Sequence, residues 1–91
     1  MELKAKITKV VDEKNVKAYA TLSFDQSFLV SDIKILDLKN GLYVAMPNKQ
    51  RKDGTYRDVA FPMHKEMRER ITDVVLEAYR DKLTELEKEN T

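Results

Sequence analysis

Pro62 divides this chain into two hydrophobic periods. Before it, apolar side chains recur at every second residue, the period of a strand with one buried face. After it, they recur at helical spacing. The proline enforces the change, because it pushes its predecessor into extended geometry and blocks an earlier helix start. A chain patterned this way is several antiparallel strands followed by one helix, which is an α+β two-layer domain.

Residues 2 to 11 alternate, with Leu3, Ala5 and Ile7 on one face and Lys4, Lys6 and Thr8 on the other. Asp12 to Asn15 is a polar turn of hairpin length. Val16 to Phe24 alternates again. Its small Ala18 and Ala20 leave room for something bulky over the sheet, such as the helix. Asp25-Gln26-Ser27 forms the next turn. In Phe28 to Leu38 the apolar set is Phe28 and Val30, then Ile33 and Ile35, so the phase slips at Ser31-Asp32. A β-bulge has this effect, since one extra residue flips the faces that follow. Lys39-Asn40-Gly41 is a tight turn into a fourth strand. There Leu42, Val44 and Met46 face one way and Tyr43 and Ala45 the other, until Pro47 ends the strand. Thr55 to Phe61 is expected to return as a fifth strand across a hairpin.

The helix is expected over about 64 to 88, with Met67, Ile71, Val74 and Ala78 as its core stripe and Leu83 and Leu86 extending it. At the usual rise per residue it would be about 36 Å long. Short strands do not cover that length, so the part after Tyr79 is expected to overhang, fray or meet a partner chain.

Ninety-one residues is the length of one domain, 1–91, with a modest core that dimerisation would help. Unpaired sheet edges point to the same expectation, a homodimer through a sheet edge or strand exchange. The chain has no cysteine, which excludes disulfides and cysteine-based metal sites. It has no signal-peptide pattern and no apolar run of membrane-spanning length. A soluble cytoplasmic protein without membrane contact is expected.

Chemistry is sparse. His64 is the sole histidine, and neither a nucleophile nor further ligands can be paired with it from spacing. It reads as a partly exposed residue at the helix entry. Asp32, Asp37, Asp53 and Asp58 sit near turns, where turn chemistry explains them. No enzyme activity, cofactor, metal or small-molecule substrate is expected.

The sharper signal is charge placement. Net charge is only +1, but Lys49, Arg51 and Lys52 form a positive block at the tip of the expected hairpin, with Arg57 just behind. Arginine binds a phosphate or a guanine edge in bidentate fashion, and lysine acts as a mobile point charge. On charge alone, a solvated turn is the favoured reading of this block, since such loops are common. Lys65 and Arg68, three apart and so on one helix face, extend the basic surface, with Arg70 less clearly and Thr72 beside them. A Glu66–Arg70 ion pair is the plainer reading of Arg70. Tyr43 and Tyr56 could face each other across the hairpin, as a packed pair or as a platform for an unpaired base.

Gly41-Leu-Tyr-Val-Ala-Met-Pro, a short basic loop, Asp53-Gly54, then Tyr56-Arg57-Asp58-Val59-Ala60 and Pro62 resemble the signature of the SpoVG family. The resemblance runs over about residues 2 to 80. Phe61 stands where that family usually has histidine, and His64-Lys65-Glu66 where small hydroxyl and amide residues usually begin the helix. The resemblance implies a small cytoplasmic dimer that binds DNA and RNA and affects gene expression, sporulation or septation. It turns the reading of Lys49, Arg51, Lys52, Arg57, Lys65 and Arg68 toward nucleic-acid contact. The alternative is a non-catalytic interaction adaptor, working through a sheet edge or the C-terminal helix.

Overall fold

The computed structural model describes residues 1–89. Four strands, β1 (Leu3–Glu13), β2 (Val16–Phe24), β3 (Phe28–Leu38) and β4 (Gly41–Ala45), form an antiparallel sheet in sequence order. Two short strands, β5 (Asn48–Gln50) and β6 (Tyr56–Asp58), form a separate ribbon, and α1 (Lys65–Glu89) closes the chain. The architecture is α+β, as the change of period at Pro62 implies.

The alternating residues become the core. Ile7, Ala18, Ala20, Leu22, Ile33, Ile35 and Val44 from the sheet, with Met46 beyond it, are buried with Ile71, Val75 and Tyr79 of α1. The three helix residues are four apart and share one face. The helix lies most closely against β1. Ala18 and Ala20 are fully covered, which is the purpose of small side chains under a second layer. No polar or charged side chain is buried among the described residues. The helix continues beyond Tyr79, where Lys82 and Leu86 are half-buried and Leu83 is exposed.

The phase slip in β3 is a bulge. Val30 pairs with Leu22 and Ile33 with Ala20, so Ser31 and Asp32 oppose a single β2 residue. Asp32 takes a φ of 61°, a left-handed geometry that asparagine and aspartate tolerate better than most residues. The bulge returns Ile33 and Ile35 to the core face.

The expected hairpin is corrected. β4 ends before Met46-Pro47 and pairs only with β3, while residues 48–58 fold back on themselves. Pro47 supplies the reason: lacking an N–H, it stops the ladder and redirects the chain. The returning strand is correspondingly short, Tyr56–Asp58 instead of Thr55 to Phe61. The Tyr43–Tyr56 pair does not form, since Tyr43 lies opposite Leu36 and Tyr56 opposite Gln50.

Candidate functional site

Lys49 on β5 and Arg57 on β6 are direct cross-strand partners. Like charges placed opposite each other repel, so the turn has to hold them there. Its hydrogen bonds do so. The Arg51 N–H donates to the Thr55 carbonyl at 2.6 Å, and the Gly54 N–H donates to the Arg51 carbonyl at 3.0 Å. The Asp53 carboxylate accepts the Thr55 hydroxyl at 2.7 Å and the Thr55 N–H at 3.0 Å, an Asx turn. These bonds, the hydroxyl first, hold the Asp53 carboxyl below the usual carboxylate range. Gly54 has a φ of 91°, which only glycine adopts without strain. At the ribbon's root the Val59 N–H donates to the Pro47 carbonyl at 2.9 Å.

Lys49, Arg51, Lys52 and Arg57 thereby line one concavity of about 630 Å³. None of the four makes an ion pair among the described residues. Asp58 is the one acidic residue in the lining, and Val59 and Phe61 form its apolar wall. The arrangement is a cluster of unneutralised donors on an ordered loop, suited to an anion with several oxygens.

Lys65 and Arg68 do not line this concavity. They stand on the first turn of α1, where Lys65 Nζ lies 3.8 Å from the Glu69 carboxylate. Arg68 donates to the Tyr43 hydroxyl at 3.4 Å, linking the helix start to β4. Arg70 donates to the Met1 carbonyl at 2.6 Å, so it ties down the N-terminus and does not pair with Glu66. His64 is exposed, and its carbonyl accepts the Arg68 N–H at 3.2 Å at the start of the helix.

An apolar groove beside the ribbon is absent from the sequence reading. Phe28, Val59, Phe61 and Met63 border a volume of about 650 Å³ floored by Leu22, Ile33 and Met67. Val59 is 63% exposed, Phe61 60% and Met63 90%, so the stretch alternates as a strand does but is packed against little. Alternation alone does not distinguish a strand that finds a sheet from one left outside it. Val59 and Phe61 line both the groove and the basic concavity, making the two sites neighbours.

The SpoVG family model matches residues 1–81. The chain belongs to the SpoVG family. It is 44% identical over 82 residues to a protein of Bdellovibrio bacteriovorus named as a septation protein SpoVG, covering 86% of this chain and 76% of that one. A protein of the same name from Clostridioides difficile is 38% identical over 82 residues, covering 90% of this chain and 89% of the other. The Archaeoglobus fulgidus protein, again so named, is 45% identical over 67 residues, 74% of this chain and 79% of its own. The matched residues 1–81 include the whole ribbon and α1 as far as Asp81. Among the described residues, no helix is long and apolar enough to cross a membrane.

Proposed function

We propose that this chain is a non-catalytic, nucleic-acid-binding regulator that acts in the cytoplasm on DNA, RNA or both, in gene expression tied to septation or sporulation. The observation that carries this reading is the ribbon concavity, where Lys49, Arg51, Lys52 and Arg57 converge without ion-pair partners among the described residues. Phosphates are the matching anions, and such contacts position a protein on a strand without reading its sequence. Lys65 and Arg68 extend the contact from the helix start, and their weak or neutral present partners yield readily to a phosphate. The names of the relatives supply the process: septation.

The working form we propose is a homodimer. One protomer offers too few phosphate contacts to bind firmly in physiological salt, and symmetry doubles them. The groove beside the ribbon is the surface that suits a second copy. A two-fold interface uses one patch on both subunits, and here the protruding side chains Phe61 and Met63 and the groove they border form a single patch. Because Val59 and Phe61 also wall the basic concavity, this contact would bring two ribbons close together.

The test is fluorescence anisotropy with labelled duplex DNA, single-stranded DNA and RNA across a salt series. Lys49→Glu/Arg51→Glu/Lys52→Glu is compared with the wild type, and circular dichroism checks the fold. Steeply salt-dependent binding that the folded variant loses is expected. Absence of binding by the wild type at low salt would overturn the reading in favour of the interaction adaptor, acting through a sheet edge or the C-terminal helix.

A further inference from the structure

The helix covers one face of the four-stranded sheet, and among the described residues no element is layered over the other face. Ala18, Ala20, Ile33 and Ile35 point into the core, so Tyr19, Thr21 and Lys34 between them point away from it. The register then sets a row across three strands: Lys9 pairs with Tyr19, and Tyr19 pairs with Lys34. Two positions along, Lys6 pairs with Thr21. A tyrosine ring therefore lies mid-sheet with a lysine on each side, the two lysines about 10 Å apart by the usual strand spacing. Lys6 and Lys9 are exposed, while Tyr19, Thr21 and Lys34 are half-buried. None of the three lysines has an ion-pair partner among the described residues. The nearby carboxylates are few: Glu2 lies 3.9 Å from Lys4, and Asp32 is in the bulge of β3.

We propose that this open face is a second nucleic-acid contact, which takes single-stranded RNA with a base stacked on Tyr19 and phosphates on Lys6, Lys9 and Lys34. The proposal rests on the nucleic-acid reading above and assigns part of the binding to a surface remote in sequence from the ribbon. Its chemistry is that of a stacking platform edged by cations, which holds unpaired bases whatever their identity. A duplex keeps its base faces inside the stack and cannot use the ring, so the platform selects a single strand. Thr21 favours RNA. The hydroxyls of Thr8 and Ser23 donate to the Tyr19 and Lys4 carbonyls at 3.2 and 3.4 Å, but that of Thr21 is unengaged among the described residues and can meet a ribose 2′-hydroxyl.

The test measures anisotropy of a short unstructured RNA, the same sequence as DNA, and a DNA duplex. The variants are Tyr19→Ser, Tyr19→Phe, Lys9→Glu/Lys34→Glu and the ribbon triple variant. Loss of one stacked base is expected to weaken RNA binding about tenfold in Tyr19→Ser. Tyr19→Phe restores it, and duplex binding stays unchanged. Denaturant unfolding checks Tyr19→Ser. If that variant fails to fold, the lysine pair, which lies on the surface, is expected to show the same selective loss. RNA binding unchanged in the lysine pair but abolished in the ribbon variant overturns this proposal and leaves the ribbon reading intact. Equal binding of the DNA strand, equally sensitive to Tyr19, overturns the assignment to RNA. Failure of the wild type to bind any of the three removes both readings together.

Discussion

The sheet with its helix and the β5–β6 ribbon are built on opposite principles. In the first, apolar side chains from four strands and one helix are buried together and no charge is buried among the described residues. In the second, every residue from Asn48 to Arg57 is exposed, and the shape comes from backbone bonds and the Asp53–Thr55 turn. Burial removes apolar surface from water and dominates stability. Exposed hydrogen bonds add little net stability, since water competes for each group. The buried core of the molecule therefore lies in one region, while the other is held by turn geometry and carries a convergent cluster of like charges. A loop with no role in the core can carry like charges that a packed strand would not tolerate.

The most severe way to break this division is to cut the core. Ile35 is fully buried, and Ile35→Ala is expected to cost about 2–5 kcal/mol in denaturant unfolding. The matched variant is Lys49→Glu/Arg51→Glu/Lys52→Glu, which alters exposed side chains only. Each such surface change is expected to move stability by about 0.5 kcal/mol or less, while the salt slope of nucleic-acid binding falls by about 0.9 for each phosphate that is no longer neutralised. A ribbon variant that unfolds as readily as Ile35→Ala would show that the two regions are one cooperative unit.

The two regions also differ in how far the sequence disclosed them. Where a strand lies half-buried, its alternation records the burial directly, and the β3 bulge was legible as the slip between Val30 and Ile33. The helix was legible in the same way, although of the stripe Met67, Ile71, Val74 and Ala78 only Ile71 is fully buried, beside Val75 and Tyr79, and the other three are partly buried. The ribbon has no buried face, so no pattern marks which strand it joins. Thr55 to Phe61 reads as a partner for β4, and only the three-dimensional consequence of Pro47 sends it elsewhere. The charged residues of the ribbon were legible by type and spacing. The exposure of Val59, Phe61 and Met63 was not, because apolar residues are written identically whether they find a core or remain outside one. Arg70 illustrates the limit for charges, since its bond to the Met1 carbonyl joins residues at distant points of the chain.

A smaller perturbation compares the same substitution in each region. Gly41, the first residue of β4, has a φ of 120°, and Gly54 a φ of 91° at the ribbon tip. A Cβ built at either meets nothing within 4 Å, so alanine brings backbone strain without a clash. That strain is about 1–2 kcal/mol for an L-residue in left-handed geometry. Gly41→Ala is expected to lower the global unfolding midpoint, since the β3–β4 turn belongs to the packed sheet. Gly54→Ala is expected to leave the midpoint nearly in place and to speed amide exchange at Arg51 and Gly54. Equal midpoint shifts would join the ribbon to the core.

The smallest effect comes from protons, and it too divides the molecule. Asp53 in the ribbon is held below its usual value of 3.8 by the Thr55 hydroxyl and N–H. A lowered folded value means that its contribution to turn order is present above 3.8 and is lost as pH falls through the lower folded value. Lys17, on β2 of the sheet, is raised above 10.5, first by its hydrogen bond to Asp12 and then by that residue's charge. Its contribution is complete below 10.5 and is lost as pH rises through the raised value. Acid should therefore loosen the ribbon turn at Asp53, and strong base should release Lys17 while that turn holds. Proton-coupled NMR shifts of the Thr55 amide and of the Lys17 side chain would follow the two events separately. Asp53→Asn keeps an oxygen acceptor for Thr55 but has no proton to gain, so the acid response of the Thr55 amide should vanish while the turn remains. If that amide still titrates in Asp53→Asn, the acid sensitivity arises elsewhere, and the ribbon's order does not depend on the Asp53 charge.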